Sequence, residues 1–233
     1  MMGDGQLTLP GDGCVHVWRV GLDERRQYED SLAAALSAEE VARVGRFRTR
    51  RLAARYVTGR GVLRRMLGLY LRMAPGEIPL VTNKYGKPGL DGEAGSGLEF
   101  NLAHSGDVAM YAFAVGRAVG IDVEVMGAEE PAREEARRIM MDGEWKDWQG
   151  LSGAEQRTVF YRTWVRKEAM LKALGVGLAI EPDTFGADGE NVIIGRTEVV
   201  VRDIEWPGQV MAAVAAIGTG MPEIVCYSAE AGP

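Results

Sequence analysis

Two stretches of this sequence repeat each other in order, and that repetition limits the fold more than any other feature. RYVTGRGVLRRMLG at 55–68 and RTWVRKEAMLKALG at 162–175 share basic residues at 55/162, 60/167 and 65/172, and both end in Leu-Gly. Further on, SGDVAMYAFAVG at 105–116 resembles PGQVMAAVAAIG at 207–218. Amphipathic helices resemble each other by chance. A helix followed by strands, repeated in the same order, argues for an internal duplication. The expectation is an α+β fold of two similar halves, 1–116 and 117–233, related by a pseudo-twofold axis. A cleft between such halves is a natural ligand site.

Local patterns fill in the elements. CVHVWRVGL alternates as a first strand, with His16 on the face opposite Val15 and Val17 and expected partly exposed. Ser37 and Glu40 form a capping box that starts a helix. A second helix is predicted over 52–71, with Val62, Met66 and Leu69 on one stripe. Strands are predicted at 78–82, 98–102, 108–115 and 119–123, then helices at 132–141 and 143–149. Ser152 and Glu155 open a long helix that runs to 174, where Gly175 stops it. The remaining strands are expected at 192–194, 198–201, 210–217 and 224–227.

Composition excludes several classes. Asp plus Glu (33) exceed Lys plus Arg (27), giving a formal charge of −6, whereas proteins that coat nucleic acid are usually basic. The opening MMGDGQLTLPGDG has neither a positive start nor an apolar core, and no apolar run approaches the roughly 20 residues of a membrane span. Cys14 and Cys226 lack metal-ligand spacing and a disulfide framework, so reduced thiols in the cytoplasm are expected. GxSxG, GxxxxGK[ST], HExxH and CxxC patterns are absent.

Four segments can carry chemistry. Ten arginines and no acidic residue lie between Arg43 and Arg72, which points to an anionic partner, phosphate above all. The alternative is a solvated basic helix face. In VGIDVEV, Asp122 and Glu124 share one strand face while Ile121, Val123 and Val125 share the other. Adjacent carboxylates repel unless a cation neutralises them, and Mg²⁺ would do so while recruiting phosphate oxygens. In WVRKEAMLKALG, Glu168 and Lys172 are i, i+4 on one helix face. They suit a metal and a phosphate respectively, or else a plain surface ion pair. NKYGKPGL holds Lys87 in a turn, and FNLAHSGD places His104 before a Ser-Gly turn.

In this order, NKYGKPGL, FNLAHSGD, VGIDVEVM and WVRKEAMLKALG resemble the surfactin-type 4′-phosphopantetheinyl transferase family. The resemblance is strongest over residues 40–180, and the length suits the family's two-half, monomeric form. It implies a 4′-phosphopantetheinyl transferase-like fold. It also implies Mg²⁺-dependent transfer of 4′-phosphopantetheine from coenzyme A to a serine of an apo acyl or peptidyl carrier protein, releasing 3′,5′-ADP. By position, Asp122, Glu124 and Glu168 match the metal carboxylates and Lys172 the phosphate-binding lysine. Lys87, His104 and Ser105 match stretches lining the coenzyme A site, and Arg43 and Arg55 match basic positions near the 3′-phosphate. Glu168 is the best candidate to accept the serine proton. Ala103 stands where the family usually has serine, and Glu40 where some members carry a basic residue. Met140, Met141, Trp145 and Trp148 offer either an apolar surface for the carrier or helix core. Two other functions compete: a nucleic-acid module using the arginine stretch, and a coenzyme A-binding regulator without activity. The first is disfavoured by the acidic total and the lack of interleaved aromatics. The second is disfavoured by retention of all three carboxylates.

Overall fold

The computed structural model describes residues 7–24, 28–92, 97–129 and 131–228. The chain begins with β1 (Cys14–Gly21), followed by two short helices, α1 (Glu29–Ala33) and α2 (Ala38–Val44). The long helix α3 (Arg50–Leu71) leads to a small hairpin of β2 (Leu80–Thr82) and β3 (Pro88–Leu90). Strands β4 (Leu98–Ser105) and β5 (Val108–Val115) complete the first half. The second half runs through β6 (Val119–Val125), α4 (Arg133–Ile139), α5 (Asp142–Gln149) and α6 (Gly153–Leu174). It continues with β7 (Asn191–Ile194), β8 (Thr197–Asp203), β9 (Val210–Ile217) and β10 (Glu223–Ser228).

The repeat is visible in the topology. The two main sheets have the orders β10-β1-β5-β4 and β6-β9-β8-β7. In the first, β1 pairs with β5 and β5 with β4; in the second, β6 pairs with β9 and β9 with β8, all antiparallel, and β7 is added beyond β8. A helix of 22 residues lies between β1 and β4 in one half and between β6 and β8 in the other. Both predicted capping boxes form: Ser37 N–H donates to Glu40 at 3.0 Å, and Ser152 N–H donates to Glu155 at 3.0 Å. Gly175 ends α6 in the left-handed region at φ 68°, which glycine adopts without steric cost.

Strand alternation builds a stack of helix, sheet, sheet and helix. Val20, Leu63, Tyr111 and Phe113 belong to the core between α3 and the first sheet. The alternate residues Val15, Val17, Met110 and Ala112 meet Ile121, Val123 and Val214 between the sheets. Val165, Ala169 and Met170 of α6 cover the far side of the second sheet at Val199, Ala213 and Ala215. Both faces of both sheets are covered, which explains why β5 and β9 are almost wholly apolar.

Two expectations change, and one open alternative resolves to helix core. The last strand leaves its own half: β10 pairs in parallel with β1, Val17 opposite Cys226, and closes an otherwise open edge. Tyr227 stacks on Trp18 there at 4.2 Å between ring centroids. His16 is buried rather than part-exposed. It bonds the Tyr70 hydroxyl at 2.9 Å, the same oxygen that accepts from Trp18 Nε1 at 3.1 Å. Met140 and Trp148 are core residues beneath α6, so of the four proposed docking residues only Met141 is well exposed. Among the described residues no helix is long and apolar enough to cross a membrane.

Candidate functional site

The site depends on how closely α6 lies on β6, and one residue sets that distance. A Cβ at Gly120 would stand 2.0 Å from the Ala169 carbonyl oxygen and 2.3 Å from the Ala173 nitrogen. Only glycine lets the helix backbone rest directly on the strand. Two residues on, Asp122 faces the same side and is buried, while Ile121 and Val123 face the other sheet, as the alternation predicts. Lys172, in the last turn of α6, donates to Asp122 Oδ1 at 2.5 Å.

This pair sits among further carboxylates. Burial pushes the pKa of Asp122 up to about 7; Lys172 opposes the shift, and Glu124 and Glu168 add to it. Glu168 is also raised, first by burial and then by Glu124, again opposed by Lys172. The three acids therefore feel one another, and Asp122 Oδ2 is buried without any hydrogen-bond partner. An orphaned carboxylate oxygen is costly unless something electropositive meets it. Hard oxygen donors of this type suit Mg²⁺. Yet no three acidic, histidine or cysteine side chains among the described residues are grouped closely enough to enclose an ion. The Lys172 ammonium supplies positive charge at Asp122 in this arrangement.

Sequence reasoning missed how the halves join here. The open edge of β6 is held by side chains of β4. Ile121 N–H donates to Asn101 Oδ1 at 2.8 Å, and Val125 N–H donates to Ser105 Oγ at 3.1 Å. Ser105 also donates to Glu124 Oε2 at 2.6 Å. The signal was present: Asn101 and Ser105 are i, i+4 on one face of β4, as are the β6 positions 121 and 125.

A cavity of about 630 Å³ opens beside this junction. Arg43, Phe47, Arg55, Tyr56 and Arg60 form its α2–α3 wall, and Thr82, Gly86 and Pro88 of the hairpin form another. Ala103 and His104 line the β4 side, and Lys172 reaches it from α6. The volume suits a nucleotide-sized ligand.

The predicted ligand-binding residues divide. Arg43 lies on the cavity, stacked over Tyr56 at 5.4 Å, and His104 lies on it as well. Arg55 lines it too, but its fork is engaged with Asp23 at 2.8 and 2.7 Å. Those contacts hold Asp23 well below the usual carboxylate range. Arg51 joins the same aspartate, and Arg60 and Arg64 bind Glu40. Much of the basic stretch is therefore neutralised by acids far off in the sequence. Lys87 is not on the cavity surface: its ammonium donates to the carbonyls of Val119 at 3.0 Å and Ala173 at 3.4 Å. Burial lowers its pKa, with Glu99 opposing. Ser105 likewise turns to Glu124 and Val125 rather than to the cavity.

Comparison with known proteins shows relatives for both halves. Residues 118–209 match the 4′-phosphopantetheinyl transferase superfamily, and residues 24–115 match the family described as 4′-phosphopantetheinyl transferase, N-terminal. The chain is 40% identical over 174 residues to the 4′-phosphopantetheinyl transferase HetI of Nostoc sp., covering 74% of this chain and 73% of that one. It is 31% identical over 157 residues to the 4′-phosphopantetheinyl transferase of Bacillus subtilis, covering 67% and 68%. It is 33% identical over 157 residues to the L-aminoadipate-semialdehyde dehydrogenase-phosphopantetheinyl transferase of Xenopus laevis. That match spans 63% of this chain and about half (51%) of the relative.

Proposed function

The chain belongs to the 4′-phosphopantetheinyl transferase superfamily, and from that premise we propose that it moves 4′-phosphopantetheine from coenzyme A to a serine of an apo acyl or peptidyl carrier protein. The two-half form supports a surfactin-type enzyme acting as a monomer. The observation that carries the reading is the junction itself. A cavity with an arginine-bearing wall ends at Lys172, and Lys172 rests on a buried carboxylate with an unpartnered oxygen.

Each residue has a distinct task. Arg43 and His104 would bind the 3′-phosphate of coenzyme A in the cavity, where charge-assisted hydrogen bonds favour phosphate. Lys172 would hold a pyrophosphate oxygen, since its ammonium reaches both the cavity and Asp122. Asp122, with its unpartnered oxygen, and Glu124 and Glu168 are the carboxylates that would hold Mg²⁺; they would have to draw together from their positions here, and the ion would supply charge neutralisation on the diphosphate. Ser105 orients Glu124 through its 2.6 Å hydrogen bond. Glu168 would accept the carrier serine's proton; its raised pKa brings a carboxylate closer to the range useful for a general base. Positioning and electrostatics carry most of the acceleration in such phosphoryl transfer.

The test is the intact mass of an apo carrier protein after incubation with this protein, coenzyme A and Mg²⁺. A gain of one phosphopantetheine, lost in EDTA and in Asp122→Ala, is expected. No gain with any carrier class, or turnover undiminished by EDTA and by Asp122→Ala, would overturn the reading.

A further inference from the structure

Lys87 and Asn83 lie on the β2–β3 turn, and both reach the end of α6. Asn83 Nδ2 donates to the Gly175 carbonyl at 2.8 Å. The Lys87 ammonium donates to the Ala173 carbonyl and, beside it, to Val119 at the start of β6. The last carbonyls of a helix have no partner within it, and the negative end of its dipole favours a cation. The close fit depends on Gly175: a Cβ there would sit 3.3 Å from Asn83 Nδ2 and 3.4 Å from Lys87 Cδ. The turn is braced from within, because Asn83 Oδ1 accepts from the N–H groups of Tyr85 at 2.9 Å and Lys87 at 3.0 Å.

The two ends of this contact matter to the site in different ways. Gly86 and Pro88, on either side of Lys87, form part of the cavity wall. Ala173 directly follows Lys172. The turn therefore joins the wall that would face the ligand to the helix that carries Glu168 and Lys172, across the boundary between the halves. We propose that the 83–87 turn is a tether that sets the distance from the cavity wall to α6, and that Lys87 and Asn83 are positioning residues for the transfer. The inference rests on the transferase reading for its catalytic consequence, but the tether itself is a property of the ligand-free protein.

The experiment compares Lys87→Met, which keeps the stem and removes the donors, with Asn83→Ala, a milder change that touches no charge. Amide hydrogen exchange on the ligand-free proteins is followed by mass spectrometry. Single-turnover transfer at saturating coenzyme A is measured in parallel, and affinities for coenzyme A and dephospho-coenzyme A are compared. Both variants are expected to exchange about tenfold or more faster in peptides covering 80–90 and 172–177, with the rest unchanged. Both are expected to slow transfer about tenfold while the preference for coenzyme A over dephospho-coenzyme A stays fixed. Unchanged exchange in both variants would overturn the tether. So would a lost preference in Lys87→Met alone, which would make Lys87 an anion contact. A wild-type protein that transfers nothing would sink the functional reading instead, and the exchange measurement would still decide the tether.

Discussion

Replacing Gly120 by alanine should separate α6 from β6 and take Glu168 and Lys172 with it. The added Cβ would lie 2.0 Å from the Ala169 oxygen, where ordinary contact begins at 3.4 Å. The helix must therefore retreat by about 1.4 Å, since the obstructing atoms are backbone and no side chain can swing aside. Overpacking of this kind costs about 1–3 kcal/mol, and a backbone clash belongs at the upper end. For a chain of this size that corresponds to a fall in Tm of roughly 6–12 °C. The same retreat would draw Lys172 away from Asp122, and misplacement by about 1 Å can cost on the order of a hundredfold in rate. The assay is urea unfolding with single-turnover transfer at a temperature where the variant stays folded. Gly143→Ala is the control, because its Cβ would meet nothing within 4 Å. A Gly120→Ala protein with wild-type stability and turnover would refute the argument that close backbone contact builds the site.

Glu40→Gln should lower stability by about 3–5 kcal/mol, because it strands the buried Arg64 beside a neutral partner. Burial alone would raise the pKa of Glu40, but the Ser37 N–H, Arg60 and Arg64 together bring it below 4.5. Its contribution is therefore complete above pH 4.5 and is lost as pH falls through the depressed value. Urea midpoints against pH should show the gap between wild type and Glu40→Gln narrowing on that side; a gap independent of pH would contradict the pairing. Arg43→Ala and His104→Ala should each weaken coenzyme A more than dephospho-coenzyme A, by about tenfold to a hundredfold. Competition binding with both ligands checks this, and an unchanged preference in both variants would remove the 3′-phosphate from this part of the cavity.

What could be read from the sequence was whatever a single element encodes. The duplication, the helix caps, the burial of one face of β6 and the placing of Glu168 and Lys172 on one side of α6 all follow from local sequence pattern. Contacts chosen by tertiary packing were not legible. Nothing near Arg55 or Arg64 announces that Asp23 and Glu40 will take up their guanidinium groups. Lys87 has the residue type of an anion ligand, but burial against two backbone carbonyls gives it a different partner. The pairing of β10 with β1 depends on an edge that only the folded first sheet presents. The glycine of GIDVE was visible as a letter, whereas its purpose appears only once α6 lies on it.

The central claim is that the junction of Glu168, Lys172 and Asp122 performs the transfer. Glu168→Gln tests it most directly, because the change keeps size and nearly keeps helix propensity while removing a carboxylate. Lys172 and the cavity's basic residues remain. Calorimetric titration with coenzyme A and Mg²⁺ is paired with mass-detected single-turnover transfer to a carrier protein. The account predicts affinity within several-fold of wild type and transfer at least about a hundredfold slower, a loss of roughly 2.7 kcal/mol in the transition state. Near-normal transfer by Glu168→Gln would contradict it and leave Glu168 a half-buried carboxylate on α6 with no part in the chemistry.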